Sequence, residues 1–351
     1  MTKKNNIAIS ATVARLGVVL EPDGSIEEAE GILNPACSRS RDGELIIYSR
    51  SVEKGNISRV GLITASEDNG KLSVDRRGFA LVPEADYELR SKPGGQGVED
   101  CRVTFVPALD LYLMAYTAFG NDGPRVAAAI SKDGFEWERL GLMSFPCLRG
   151  CALDDKDAAF FPEPVLSPSG ELSIALYHRP MVFLPDVSDS VTAALSLPRR
   201  KRQCMRIAYI PFDAVKRDVK NLTKIKSSRL LLPPNSKWGS LKNGAGTPPV
   251  RTSLGWLSVM HGVDAVPKGD GKWSMRYSAG LVIHDIERPD RIIYESPAPL
   301  FFPETPEELT GVVNNVVFPT GIDPLSDSEF DVYYGMADFR IGRVRLTVKA
   351  G

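Results

Sequence analysis

The segment Gly97-Val98-Glu99-Asp100-Cys101-Arg102 sets the pattern of this chain. It places two acids and a base at the start of an alternating apolar run that ends in Tyr112-Leu113-Met114-Ala115-Tyr116-Thr117-Ala118. The same layout recurs in Lys156-Asp157-Ala158-Ala159-Phe160-Phe161-Pro162, in Gly244-Ala245-Gly246-Thr247-Pro248-Pro249 and in Val312-Val313-Asn314-Asn315-Val316-Val317-Phe318. Repeated units that aim their polar ends at one place are typical of a β-propeller with a pocket on its axis.

Composition and charge are those of a globular protein. The 351 residues suit one large all-β domain or two ordinary domains, and the contents of 43% hydrophobic and 25% charged residues exclude a disordered chain. No apolar run approaches the length of a membrane span. Because 43 Lys and Arg balance 44 Asp and Glu, we predict neither a nucleic-acid nor a membrane partner. Any anion must be held by a local group of cations.

Short strand signals dominate, and long amphipathic helices are missing. The clearest strand candidates are residues 45–48, 60–64, 126–130, 172–177, 256–260 and 331–336, and the best helical candidates are 213–219 and 306–309. About five units of four strands fit between residues 30 and 349. We therefore predict one all-β domain over residues 1–351, a five-bladed β-propeller, in which Leu16-Gly17-Val18-Val19-Leu20 completes the last blade.

Residues 181–203 break this rhythm and contain the basic run Arg199-Arg200-Lys201-Arg202. Because such a run is usually a solvated loop, the interpretation favours an insertion at the pocket rim or at a subunit contact over nucleic-acid binding or nuclear targeting. A homo-oligomer stays open.

The cysteines indicate neither a disulfide framework nor a metal site. Five cysteines are odd in number and sparse, so we expect free buried thiols. Cys147 and Cys151 have the spacing Cys-x3-Cys, but no second pair completes a zinc site, and we predict no metal. The first 20 residues match the pattern of a secretory signal poorly, so the cytoplasm is the expected location.

Asp100 is the first candidate for chemistry. It follows a Gly-rich loop and precedes a strand, so it could cap a turn or act in catalysis, and the two readings are evenly balanced. Glu99 and Arg102 could form an ion pair that holds the loop.

Cations occupy matching places in successive units: Lys156, His178-Arg179, Lys242 and His261. A lone His at a strand end is more often a structural hydrogen-bonding group. Several cations around the predicted pocket on the propeller axis, however, would make a local anion site, for which phosphate is the obvious ligand. No P-loop is present, and Gly94-Gly95-Gln96-Gly97 lacks the context of a dinucleotide fold. We therefore predict no cofactor, and inorganic phosphate as the anion.

Polar and aromatic residues complete the candidate pocket. Acids, amides and aromatic faces around one cavity suit a sugar, although Asn and Asp at turns can instead satisfy backbone groups. The candidates are Asn34, Arg50, Asp157, Tyr277, Asn314, Asn315, Asp338 and Arg340.

These motifs together resemble glycoside hydrolase family 130, the β-mannoside phosphorylases and related β-mannosidases. The resemblance runs from residue 34 to residue 338. Its motifs are Gly97-Val98-Glu99-Asp100-x-Arg102, Lys156-Asp157-Ala158-Ala159-Phe160-Phe161-Pro162, His178-Arg179-Pro180, Gly244-Ala245-Gly246-x-Pro248-Pro249, Gly255-Trp256-Leu257, His261-Gly262-Val263, Tyr277-Ser278-Ala279-Gly280, Asn315-Val316-Val317-Phe318 and Tyr333-Tyr334-Gly335-Met336-Ala337-Asp338. One position departs, since Cys101 stands where Pro is usual.

The resemblance implies a five-bladed propeller and inverting attack on a β-mannoside. Its general acid matches Asp100, and in the phosphorylases the proton is thought to pass through a sugar hydroxyl. The implied phosphate-binding residues are Lys156, Arg179, Lys242 and His261. The implied sugar contacts are Asn34, Arg50, Asp338 and Tyr277, and we add Asp157 to them.

One acid with four cations favours phosphorolysis, because an inverting hydrolase needs a second carboxylate to activate water. The expected reaction is phosphorolysis of β-1,2- or β-1,4-linked manno-oligosaccharides, or of a mannosyl-glucose, to α-mannose 1-phosphate. Three alternatives stay open. They are a β-mannosidase with a base such as Glu163 or Glu304, a non-catalytic sugar-binding propeller, and a furanosidase-like enzyme.

Overall fold

The computed structural model describes residues 8–68, 71–146, 154–181, 190–235, 238–269 and 272–351. Cys147 and Cys151 lie outside these ranges. The strands, in chain order, are β1 (Ile9–Leu20), β2 (Gly31–Arg39), β3 (Leu45–Glu53), β4 (Ile57–Asp68), β5 (Lys71–Leu81), β6 (Gln96–Val106), β7 (Leu111–Gly120), β8 (Gly123–Ser131), β9 (Glu138–Leu142), β10 (Asp155–Phe160), β11 (Val165–Leu166), β12 (Leu172–Pro180), β13 (Met205–Pro211), β14 (Ser227–Leu232), β15 (Lys242–Ala245), β16 (Val250–Thr252), β17 (Gly255–Gly269), β18 (Lys272–His284), β19 (Ile292–Glu295), β20 (Val317–Pro324), β21 (Glu329–Met336) and β22 (Arg340–Ala350).

Helical structure is short in the described ranges. The α-helices are α1 (Ser190–Ser196), α2 (Phe212–Arg217) and α3 (Pro306–Leu309), and 3-10 turns occupy Ile26–Glu28, Asp86–Glu88, Arg199–Lys201 and Val219–Thr223. None of these helices is long and apolar enough to cross a bilayer. Each predicted strand lies inside an observed one, and both predicted helices are present. The helix α1, which lies within the segment 181–203, was not predicted.

The described strands form five antiparallel units. Unit 1 contains β2–β5, unit 2 β6–β9, unit 3 β10–β14, unit 4 β15–β19, and unit 5 β20–β22 with β1. Units 1 and 2 are joined by a short parallel pairing of Ile57 with Gln96 and of Ser58 with Gly97. The N-terminal strand β1 pairs with β22 from Ile9 to Leu20, so the predicted completion of the last unit by residues 16–20 is confirmed.

Apolar side chains fill the space between each unit and the next. Ile46 and Tyr48 of unit 1 pack with Val103 and Met114 of unit 2. Equivalent clusters join unit 2 to 3, 3 to 4 and 4 to 5. A fifth cluster joins Tyr333 of unit 5 to strands of unit 1. Burial of these side chains, at about 25 cal/mol per Å² of apolar surface, is the main force that holds the units together.

The described helix of the basic insertion, α1, packs against unit 4. Val191 of α1 is buried against Leu241 and Val263. Arg202 donates hydrogen bonds to the Leu197 and Ser240 carbonyl oxygens, so this member of the basic run has a structural role. Cys37, Cys101 and Cys204 are free and buried, which confirms the prediction for the described cysteines.

We expect Arg15→Ala to destabilise the fold by about 3 kcal/mol, because it leaves a buried carboxylate without its cation. Glu308 is fully buried, and Arg15 of β1 donates to its two oxygens at 3.0 and 3.1 Å. Urea unfolding measures the change. Lys216→Ala, which removes an exposed pair with Asp213, is the control and should cost less than about 0.5 kcal/mol. Equal stability of the two variants would contradict the expectation.

Candidate active site

Three β-bulges at equivalent places position acidic and amide side chains. The first strands of units 1, 2 and 3 each gain one residue against their partner, between Leu33 and Ala36, between Glu99 and Arg102, and between Lys156 and Ala159. Within these bulges Asn34, Asp100 and Asp157 have φ angles of 44°, 48° and 57°. Asn and Asp tolerate this left-handed conformation better than other non-glycine residues, and a bulge re-aims the side chain that it carries.

Asp100 is buried and held by two neighbours from unit 1. Asn34 Nδ2 donates to Asp100 Oδ1 at 2.8 Å, and an Arg50 nitrogen lies 3.3 Å from the same oxygen. Burial by itself would raise the pKa of Asp100. The charges of Arg50, Lys156 and Arg102, together with the Asn34 hydrogen bond, outweigh burial and hold the pKa below its ordinary value. Asp100 is therefore ionised in the free protein at neutral pH.

Glu99 links two of the predicted ligand-binding residues. Arg50 donates to its Oε1 at 2.9 Å, and Lys156 Nζ donates to its Oε2 at 3.0 Å. The predicted ion pair between Glu99 and Arg102 is therefore wrong. Arg102 instead donates to backbone carbonyl oxygens, because its side chain points inward from the bulge that follows Glu99.

Asp157 organises a second cluster beside the first. Arg179 Nε donates to Asp157 Oδ2 at 2.5 Å, and His261 Nε2 lies 3.5 Å from the same oxygen. Arg179 also donates to the side chain of Gln203, at the end of the basic insertion. Gly244 faces this cluster, and a Cβ atom there would lie 2.2 Å from Asp157 Oδ2. Glycine is needed at this position because any side chain would displace the carboxylate.

His261 is a neutral imidazole rather than a cation. Burial, the largest effect, lowers its pKa to about 3 even though Asp157 acts in the opposite direction. Its Nδ1 atom is buried and has no hydrogen-bond partner among the described residues. The prediction that His261 supplies positive charge is therefore wrong for the free protein. A neutral imidazole can still donate one hydrogen bond to an anion.

Lys242 and Tyr277 lie next to His261. The Lys242 ammonium is 5.1 Å from the centre of the Tyr277 ring, and the rings of Tyr277 and His261 are stacked with centroids 6.3 Å apart. Lys242 forms no ion pair with any described residue, whereas Lys156 and Arg179 each pair with a carboxylate. Lys242 is thus the cation most available to an incoming anion.

Asp338 adds a third carboxyl group near Asp100. Burial raises its pKa to about 6, and the nearby charges of Asp100 and Glu99 act in the same direction against the effect of Arg50. Like Asp100, it has a left-handed backbone, with φ of 50°. Asp338 therefore changes its charge close to neutral pH.

Other sequence candidates lie outside this arrangement or serve the backbone. His178 bonds to Asp155 and Ser228. Arg340 pairs with Glu21, and the Asn314 side chain accepts from the Gly311 amide. Asn315 accepts from the Tyr277 amide through its backbone oxygen. The suggested hydrolytic bases Glu163 and Glu304 pair with Arg251 and Arg15, away from both clusters.

The ten residues proposed as the site thus fall into two adjoining clusters to which all five units contribute. Arg102 connects them, because it donates to the Asp100 carbonyl oxygen at 2.8 Å and lies 3.7 Å from Asp157 Oδ1. No group of three or more potential metal ligands is found among the described residues. The site combines an acid, several cations and an aromatic face on an all-β scaffold. This combination is typical of enzymes that act on glycosides.

Comparison with known proteins gives the family. A family profile described as β-1,4-mannooligosaccharide phosphorylase matches residues 208–349. The 1,2-β-oligomannan phosphorylase of Thermoanaerobacter sp. (strain X514) is 30% identical over 298 residues, which are 84% of this chain and 80% of that protein. The chain belongs to glycoside hydrolase family 130.

Solved structures share the fold. The β-1,2-mannobiose phosphorylase from Listeria innocua, in complex with β-1,2-mannobiose, has a TM-score of 0.62 at 21% identity and covers 99% of this chain and 92% of its own. A structure from a study of family 130 glycoside hydrolases that target β-1,2 mannosidic linkages in Candida mannan has a TM-score of 0.69 at 19% identity, with coverage of 98% and 95%.

Proposed function

We propose that this chain is an inverting phosphorylase that cleaves β-mannosides with inorganic phosphate and releases α-mannose 1-phosphate. The observation that carries the proposal is the cationic group of Lys156, Arg179 and Lys242, joined by the His261 imidazole, beside the Asp100 carboxylate. Family membership and the phosphorylase named among the relatives support the same reaction.

We also propose that the five units close into a five-bladed propeller with the site on its axis. Five apolar clusters join the units in sequence, and the last of them joins unit 5 back to unit 1. Closure leaves no unpaired inter-unit face and brings the bulged first strands together. A cytoplasmic location fits the free buried thiols of the described residues.

In the proposed reaction a phosphate oxygen attacks the anomeric carbon as the bond from that carbon to the leaving oxygen breaks. Asp100 supplies a proton to the leaving oxygen, directly or through a sugar hydroxyl. Asn34, Arg50, Asp157, Tyr277 and Asp338 would hold the mannoside. Lys156, Arg179, Lys242 and His261 would hold phosphate. Positioning and charge balance contribute most, because the nucleophile is already an anion.

Asp100 must gain a proton before it can act as an acid. In the free protein three cations keep it ionised. A bound phosphate dianion adds negative charge beside the same cations, which raises the pKa of a neighbouring carboxyl group. Phosphate binding would therefore promote protonation of Asp100, and the acid would be ready only when the nucleophile is present.

Hydrolysis is less well supported by the geometry. An inverting hydrolase needs a carboxylate that is free to activate water. Glu99 accepts from Arg50 and Lys156, and Asp157 accepts from Arg179, so neither is an unengaged base. Asp338 is the carboxyl group that could take this role, and release of mannose without phosphate would reveal it.

Phosphate dependence is the first prediction. With β-1,2- and β-1,4-mannobiose, the wild-type protein should release α-mannose 1-phosphate only when phosphate is added, as measured by chromatography of the products. Asp100→Asn should lower kcat by about 10²- to 10⁴-fold, the range for loss of a general acid, while thermal unfolding shows an intact fold. Free mannose as the product without phosphate, or normal turnover by Asp100→Asn, would contradict the proposal.

The second prediction concerns Lys242, the site lysine that has no ion pair among the described residues. Lys242→Ala should raise KM for phosphate by about tenfold or more and change kcat less, because one charge-assisted hydrogen bond contributes about 1.5–3 kcal/mol. Initial rates at varied phosphate and fixed mannobiose measure the change. Lys226→Ala, which affects an exposed lysine paired with Glu171, is the matched control. A rise in KM for the sugar alone would place the anion elsewhere.

The third prediction follows from the pKa of Asp338, near 6. Below that pH the carboxyl group is protonated and loses the charge that strengthens its acceptance of sugar hydroxyls. We expect kcat/KM for mannobiose to fall as the pH drops below about 6, which gives the pH profile an acidic limb. We expect Asp338→Asn to remove this acidic limb. Asp327→Asn, at an exposed residue bonded to Ser253, should keep it. An unchanged limb in Asp338→Asn would assign the ionisation to another group.

A further inference from the structure

Arg102 is the most deeply buried cation of the site, with no exposed surface. Its guanidinium donates from Nη1 to the Asp100 carbonyl oxygen at 2.8 Å, from Nε to the Gly246 carbonyl oxygen at 3.0 Å and from Nη2 to the Ala245 carbonyl oxygen at 3.1 Å. Nη2 also lies 3.7 Å from Asp157 Oδ1. One planar group thus connects units 2, 3 and 4.

The bond to Asp100 satisfies a backbone group that the bulge removes from the sheet. The pairing of β6 with β7 skips from Glu99 to Arg102, so Asp100 lies in the unpaired part of the strand. A buried carbonyl without a donor costs about 1–3 kcal/mol. Loss of that donor would favour a regular strand, in which a slip of one residue turns a side chain to the opposite face of the sheet.

The bonds to Ala245 and Gly246 fix the bulge relative to unit 4. Ala245 ends β15, the strand that begins at Lys242. The guanidinium also lies 5.5 Å from the centre of the Phe318 ring, which supports it from unit 5. All of these donors belong to the one rigid guanidinium group of Arg102. A shift of β6 relative to β15 would therefore break some of its hydrogen bonds.

We propose that Arg102 is a positioning residue that fixes the Asp100 carboxylate relative to the strand bearing Lys242. It fixes the position of Asp100 by a hydrogen bond to the backbone carbonyl oxygen. The inference deepens the proposed function and rests on it for its kinetic part. Lysine could not replace Arg102, since a single ammonium on a flexible stem cannot match the fixed geometry of three carbonyl oxygens in two units.

Kinetics of Arg102→Lys provide the first test. The charge is kept and the fork is lost, so kcat should fall about 100-fold, the cost of a displacement near 1 Å at a reacting group, while KM for phosphate stays within about threefold. Arg343→Lys is the matched control. Arg343 is also buried, donates to Glu67 and Asp331 away from the site, and its replacement should lower stability and leave kcat unchanged.

A crystal structure of Arg102→Lys is the second test and does not depend on activity. We expect Asp100 to leave its positive φ and to lose the Asn34 hydrogen bond. If the lysine variant does not fold, Arg102→Gln, which retains an amide donor, is examined by the same criteria. An unmoved Asp100, or a fall in kcat no larger than that of Arg343→Lys, would overturn the inference. A wild-type protein without phosphate-dependent turnover would instead refute the proposed function, and the crystal structure would still decide the role of Arg102.

Discussion

Charge burial is the constraint on which the rest of this structure depends. Asp100, Glu99 and Asp157 are carboxylates in a water-poor junction of five sheet units, and a carboxylate there is stable only with cations and hydrogen-bond donors beside it. Arg50 and Arg179 satisfy this requirement, and each comes from a strand paired with, or neighbouring, the bulge that carries the acid. The electrostatics of the site thus follow from sheet topology.

The same constraint bears on the proposed phosphate site in a protein of net charge near zero. Lys156 and Arg179 are already neutralised by Glu99 and Asp157, so an incoming dianion meets a balanced network rather than a cluster of repelling cations. Lys242 has no ion pair among the described residues, and the neutral His261 ring can donate a hydrogen bond without adding positive charge. The proposed phosphate site is thus preorganised, and a preorganised site loses little energy to rearrangement when a ligand binds.

Local patterns in the sequence predicted the strands, the short helices and the pairing of β1 with unit 5, because alternation and turn residues act over a few positions. The pairing of Glu99 was not predictable, since Arg50 and Lys156 approach it from strands 49 and 57 residues away. The neutral state of His261 depends on burial, which a strand-end position does not reveal. One signal was overlooked: Asn34, Asp100 and Asp157 each lie within the first strand of a unit, and Asn or Asp inside a strand indicates a left-handed bulge.

Cys101 shows why the rigidity of the bulge must come from long-range contacts. The Cys101 side chain is a buried thiol whose pKa burial raises to about 12, and its Sγ contacts the Tyr48 carbonyl oxygen only weakly, at 3.7 Å. A cysteine does not restrict its own φ as proline does. The left-handed Asp100 is therefore held by the Asn34 amide on one side and the Arg102 fork on the other. The Asn34 bond requires unit 1, and the other Arg102 bonds require unit 4, so the geometry of Asp100 depends on contacts between units.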